Sequence, residues 1–204
     1  MKILYVGLKY DYGNVKNGYS FEHSNFYETL ANMSDVKKLD YLAIDEVLKK
    51  NGKDYLNQEI INKTKRNGYD LIFFFIFKDE FFSQTLDYLK KDLSTPTVAW
   101  MADDHWRFEN YSKYWAPFYS YYVTTDEDSL PKYKKKKIQN IILSQWGYNH
   151  FNKSPKKNFQ KKNISFVGMS YGSRLKNIKY LEKRNHIKID CWGSGWPNGR
   201  LKDH

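Results

Sequence analysis

The stretch Trp100-Met101-Ala102-Asp103-Asp104-His105-Trp106-Arg107-Phe108 brings two carboxylates, an imidazole and a guanidinium together beside two indoles. Adjacent carboxylates repel each other's charge, so their pKa values separate and one is left as a base. An indole face packs against the apolar face of a sugar ring, and a guanidinium clasps phosphate or carboxylate. The same residues also suit a plain helix start, with Asp104 capping free N–H groups and Trp106 in the core.

A second candidate is Phe166-Val167-Gly168-Met169-Ser170-Tyr171-Gly172-Ser173-Arg174. An apolar run meets a glycine-containing loop and then a helical pattern. A helix N-terminus offers unpaired N–H groups and a positive dipole end to a phosphate. The glycine spacing is not that of a dinucleotide fingerprint, and an ordinary strand-to-helix turn has the same composition. Asp126-Glu127-Asp128 has the form of a DxD metal motif. It also opens a helical stretch, where acids are favoured by the dipole, and that is the reading preferred here. Cys191 lies in an apolar run and reads as a small core residue. His23 reads as a surface histidine on an early helix.

These groups need a scaffold. Lys2–Gly7 is a short apolar run ending in glycine, the pattern of a buried parallel strand. A polar loop with Gly13 and Gly18 follows, and Ser20 is placed to cap a helix carrying Phe26, Leu30 and Met33 at helical spacing. Val36–Ala43 reads as a strand and Asp54–Arg66 as a helix. Asp70–Phe77 is apolar at every position after the aspartate, so both faces of this strand must be covered and it belongs inside a sheet. Helical stretches at Phe81–Lys91, Arg107–Trp115 and Glu127–Lys136 alternate with strands at Thr97–Ala102, Tyr121–Thr125 and Asn140–Gln145. This rhythm predicts an α/β class: a Rossmann-like, parallel, doubly wound sheet over residues 1–147, with functional residues at the carboxyl ends of its strands. Residues 148–162, rich in Asn and Lys and containing Pro155, read as a linker. From 163 the pattern restarts as strand Ile164–Met169, helix Ser173–Arg184 and strand Ile187–Trp192. It reads as the opening βαβ of a second Rossmann-like domain, expected to be incomplete at residue 204.

Composition narrows the classes further. The 204 residues carry 34 Lys+Arg against 23 Asp+Glu, a net charge of +11. The 18 Tyr, 13 Phe and 6 Trp supply enough aromatic surface to drive collapse, which excludes a disordered chain. A single cysteine excludes an internal disulfide and a thiolate zinc site. The longest apolar run, Leu71–Phe77, is far below the roughly 20 residues of a membrane span. With no secretion signal at the start, the expectation is a cytoplasmic protein. The dense lysine runs, Lys134–Lys137 and Lys153–Lys162, read as a helix end and a solvated segment rather than a nucleic-acid groove.

Several stretches together resemble the CgeB-type spore-maturation glycosyltransferases: Trp100–Pro117, Thr124-Thr125-Asp126, Asn140–Trp146, Phe166-Val167-Gly168 with Tyr171-Gly172-Ser173-Arg174, and Trp192-Gly193-Ser194-Gly195-Trp196. The resemblance covers Trp100 to Arg200; the first hundred residues agree in pattern. It implies a GT-B fold, two Rossmann-like domains facing across a cleft, with the acceptor on the N-terminal domain and a UDP- or GDP-sugar donor on the C-terminal one, and no bound metal. By that resemblance Asp103 or Asp104 deprotonates or orients an acceptor hydroxyl. His105, Trp106, Arg107, Gly13 and Glu22 bind substrate, and Gly168, Gly172, Ser173 and Arg174 hold the donor diphosphate. The chain stops just past Gly193–Arg200, where the family continues through its donor domain. Weak donor binding, no transfer by this chain alone and self-association through uncovered apolar surface are the matching expectations. Two other classes stand beside this one: a non-catalytic glycan- or nucleotide-binding module, and a basic nucleic-acid-binding domain, although no DNA partner is expected.

Overall fold

A computed structural model describes residues 1–151 and 164–197. The basic run Lys153–Lys162, most of the expected linker and Arg200 lie outside them. The chain divides into two compact units, Met1–Lys153 and Ser154–His204.

The first unit is built on a six-stranded, all-parallel sheet in the order β2-β1-β3-β4-β5-β6. The strands are β1 (Lys2–Gly7), β2 (Lys38–Ala43), β3 (Leu71–Phe74), β4 (Thr97–Met101), β5 (Tyr121–Thr124) and β6 (Ile141–Leu143). The chain steps from β1 to β2 in one direction and then crosses back to β3. The order therefore reverses between β1 and β3, where diverging loops open a crevice at the carboxyl ends.

Alternation along the strands sends residues to two faces. On one, Leu4, Val6, Ile72, Phe74, Ala99 and Met101 join a single buried cluster with Leu56 and Ile60 of the helix Ile44–Asn67 and Leu86 and Leu89 of the helical segment 83–92. On the other, Tyr5 and Phe73 stack at 6.0 Å, and Phe26 and Tyr27 of the helical segment 21–32 cover them. Burying apolar side chains on both faces of the sheet, aliphatic and aromatic, is what stabilises it. β3 is interior, as its two-faced apolarity requires, although its ladder ends at Phe74 rather than Phe77. Ile76 then leaves the ladder and stays buried while the chain turns into a loop.

Other boundaries differ for local reasons. The helix expected from Asp54 begins at Ile44 and bends at Gly52, whose φ of 82° only glycine adopts readily. Met33 falls just outside its helix, in extended backbone. Asn149, expected in the linker, is buried: its backbone N–H donates to Asn25 Oδ1 (3.0 Å) and its side-chain amide to the Ser24 carbonyl (2.8 Å). These bonds attach residues 148–151 to the first unit. His23 is buried, not a surface group; its ring stacks on Tyr19 at 4.3 Å, and burial lowers its pKa.

In the second unit, β7 (Ser165–Val167) and β8 (Asp190–Trp192) pair in parallel, joined through the helix Arg174–Asn185. The expected βαβ is present. Its core is small: Ile178, Ile189, Cys191 and Trp196 are buried, with Phe166, Leu175 and Ile187 against them. Cys191 is a core residue, as its apolar setting suggested. Val167 is 79% exposed, and Ile164 and Leu181 are exposed too, leaving apolar surface uncovered. Among the described residues no helix is long and apolar enough to cross a membrane.

Candidate functional site: a two-lobed cleft at the carboxyl edge

Three strand ends supply the walls of the larger lobe. Gly7 closes β1, and the following loop folds back so that Ser20 N–H donates to the Lys9 carbonyl and Ser20 Oγ to the Leu8 carbonyl (2.8 Å). Ser20 Oγ in turn accepts from His23 N–H (3.0 Å), the capping role its sequence position suggested. Asp45, one residue into the helix after β2, accepts from the N–H groups of Lys9 and Tyr10 and fixes the loop from the other side. After β3, the turn at 77–82 carries Lys78 N–H onto Glu80 Oε2 (2.8 Å). These elements enclose a cavity of about 590 Å³ whose lining includes Asp11, Tyr12, Phe21, Glu22, Phe77 and Glu80. It lies at the β1–β3 reversal.

A second hollow of about 440 Å³ adjoins it, with Phe77 and Lys78 common to both linings. Asp103, Trp106, Arg107, Asn110 and Tyr111 complete it, all from the end of β4 and the helical segment 104–115. The wall between the lobes is cross-braced. Arg107 donates to the Phe77 carbonyl, and Tyr111 OH donates to the Lys78 carbonyl (2.7 Å). The Arg107 guanidinium lies 4.1 Å over the Tyr111 ring. From below, the buried Asn57 donates to the Glu80 carbonyl and accepts from Phe82 N–H (2.8 Å).

The electrostatics differ between the lobes. Burial raises the pKa of Glu22 and of Glu80; for Glu80, surrounding backbone N–H groups offset part of that rise. Among the described residues neither carboxylate forms an ion pair. The smaller lobe instead combines Arg107 and Lys78 with Asp103 and the 59%-exposed Trp106 ring.

The structure separates the paired aspartates. Asp103 lines the cleft. Asp104 is completely buried, with Oδ2 accepting from Tyr133 OH at 2.7 Å, and lines neither lobe. From that position it cannot reach an acceptor hydroxyl, so of the expected catalytic pair only Asp103 stands where chemistry is possible. Trp106 and Arg107 line the cleft as expected, but the Arg107 hydrogen bond to Phe77 makes it a clamp on the wall as well as a cleft residue. His105 is exposed and lines neither lobe. Trp100 turns to the other sheet face against Phe26 and Trp146. Glu22 is in the larger lobe. Gly13 is not in its lining; with φ of 69° its role is to let the loop turn beside Asp45. Asp126 stands at the start of its turn and accepts from Ser129 Oγ at Oδ2 (2.5 Å), with no side-chain bond to the turn's backbone, and among the described residues no cluster of three metal-ligating side chains forms.

In the second unit, Gly172 (φ 58°) turns the loop into the helix that Ser173 precedes. Gly193 must be glycine: a Cβ there would meet the Gly168 carbonyl oxygen at 2.6 Å. The Arg174 guanidinium, expected to face a phosphate, donates instead to the Met169 carbonyl (2.9 Å) and Tyr171 OH (2.8 Å), and lies 3.8 Å over the Tyr171 ring. It braces the loop it belongs to.

Sequence reasoning missed Glu80, Lys78, Asn57 and Asp45. Lys78 and Glu80 follow a long apolar run, a signal that marks a strand end and could have found them. No family model matches the chain, and no curated protein matches it significantly.

Proposed function

We propose that the chain is a glycosyltransferase polypeptide of the GT-B type whose first unit binds the sugar-containing acceptor in the carboxyl-edge cleft. The observation that carries this reading is the two-lobed cleft itself. It sits at the strand-order reversal, has aromatic rings along its walls, and carries carboxylates and an Arg/Lys pair at fixed positions. Aromatic rings cover the apolar faces of a pyranose while carboxylates and amides take its hydroxyls. Asp103 orients the acceptor hydroxyl and receives its proton as the bond to the donor's anomeric carbon forms; the nucleoside diphosphate departs with the electron pair of the broken bond. In the second unit, taken by itself, the loop Gly168–Arg174 and the helix N-terminus after it are of the kind that binds a phosphate. A UDP- or GDP-sugar is the donor.

A second reading, a non-catalytic glycan-binding module, is favoured by one observation: Arg174 is already engaged with its own loop. Titration of the chain with a panel of oligosaccharides, UDP- and GDP-sugars and a DNA duplex tests both. Saturable oligosaccharide binding that weakens roughly tenfold in Trp106→Ala supports the acceptor site. Transfer from a nucleotide sugar selects the enzyme; glycan binding without transfer selects the module. Binding of the duplex alone, with a steep salt dependence, would overturn both.

A further inference from the structure

The smaller lobe is rich in hydrogen-bond donors and short of acceptors. Arg107, Lys78 and Asn110 line it against a single carboxylate, Asp103. Arg107 Nη2 donates to the Phe77 carbonyl, which fixes the half-buried guanidinium over the Tyr111 ring. Among the described residues its Nε and Nη1 have no hydrogen-bond partner, and neither Arg107 nor Lys78 forms an ion pair. The acids next to Lys78 in sequence are otherwise engaged. Asp79 pairs with Lys53 at 3.2 Å, and Glu80 accepts from the backbone N–H of Lys78. Arg174 is the contrast within the chain, since both of its Nη groups bond to its own loop. A guanidinium held in place with N–H groups to spare is built to take a carboxylate or phosphate through two of them. The adjoining lobe carries Asp11, Glu22 and Glu80. These repel an anion, so charge within the cleft directs it to the smaller lobe.

We propose that the smaller lobe binds an anionic group, a carboxylate or a phosphate, carried by the acceptor, so that the acceptor is an acidic glycan, with Arg107 placing the group and Lys78 adding charge. The inference rests on the acceptor-site reading above and adds the substrate class. The neutral part of the glycan lies along Trp106 and continues into the larger lobe, where the rings of Tyr12, Phe21 and Phe77 share the lining. Asp103 is paired with neither cation, so its carboxylate is left for a hydroxyl of the same sugar. The net charge of +11 draws any anion towards the protein at long range, so the local preference has to be measured against that background.

The test is calorimetric titration of the full chain at about pH 7, where a uronic acid is ionised, in about 0.15 M salt, which screens distant charges. One arm compares a galacturonic acid tetramer with its fully methyl-esterified form. The other compares a maltotetraose 6-phosphate with maltotetraose. Each pair shares a backbone and differs in charge. The expected result is a roughly tenfold tighter binding of the anionic member in at least one arm, and the arm that shows it names the group. In Lys78→Met the ratio of anionic to neutral affinity should fall roughly threefold. In Arg107→Lys, which keeps the charge and loses the fork, most of the ratio should go. Lys135 is exposed and lines neither lobe, so Lys135→Met should leave the ratio as it is. An equal fall in Lys135→Met would assign the preference to overall charge and overturn the inference. Equal binding within both pairs also overturns it and leaves the acceptor site standing. Binding of none of the four overturns the acceptor-site reading and the inference with it.

Discussion

Glu22 and Glu80 are held as acids in a setting that favours their neutral form. Because burial raises both pKa values, the stability linked to each carboxyl is complete below its unfolded-state value, and is lost as pH rises through the higher folded-state value. Glu22→Gln should therefore melt at a higher temperature than wild type at about pH 7.5, with the gap closing near pH 4; scanning calorimetry across that range checks it, and a lower melting temperature at pH 7.5 contradicts it. Asp103 and Asp104 offer the opposite contrast. Tyr133→Phe removes the hydroxyl that Asp104 Oδ2 accepts from, and Oδ1 already has no hydrogen-bond partner. It should cost about 1–3 kcal/mol in urea unfolding. Asp103→Asn, in the open cleft, should stay within about 0.5 kcal/mol. Equal losses would remove the distinction between a packed and a cleft-lining aspartate.

The turn at 77–82 holds the two lobes in register, and it depends on a helix far away in sequence. Asn57 lies 23 residues before Glu80 and 25 before Phe82, and bonds to both. Asn57→Ala should cost about 1–3 kcal/mol and speed amide exchange at Phe82 while leaving β1 protected. Slowed or unchanged exchange there would mean the turn holds itself. This element also shows what the sequence made legible. Strands β1, β3 and β4 were readable because parallel strands covered on both faces are apolar runs, and the cleft followed from their carboxyl ends. Asp103, Trp106 and Arg107 were found that way. Asn57 and Asp45 were not, because their roles exist only in bonds to loops 23–36 residues away, which no local pattern records. Asp104 was misassigned for a related reason: one residue past Asp103, the helical turn rotates it inward to Tyr133, whose own position 29 residues on gives no local sign of the pairing.

At the scale of the whole molecule, the units differ in how much holds each together. The first has interior strands under two covered faces. Among its described residues, the second has a two-stranded sheet of three-residue strands over four buried hydrophobic side chains, and sheets that small are marginal alone. Hydrogen exchange should show β7 and β8 exchanging well before β1 and β3; equal protection would mean the second unit is stabilised by contacts other than its own core. The central claim, that the carboxyl-edge cleft of the first unit is where a glycan binds, is tested most directly by amide chemical-shift mapping of the isotopically labelled chain with a binding oligosaccharide. The account expects the largest shifts at Tyr12, Glu22, Phe77, Lys78 and Trp106, around both lobes and their common wall. Shifts gathered instead at the opposite strand ends, near Lys38, Thr97 and Tyr121, would contradict it.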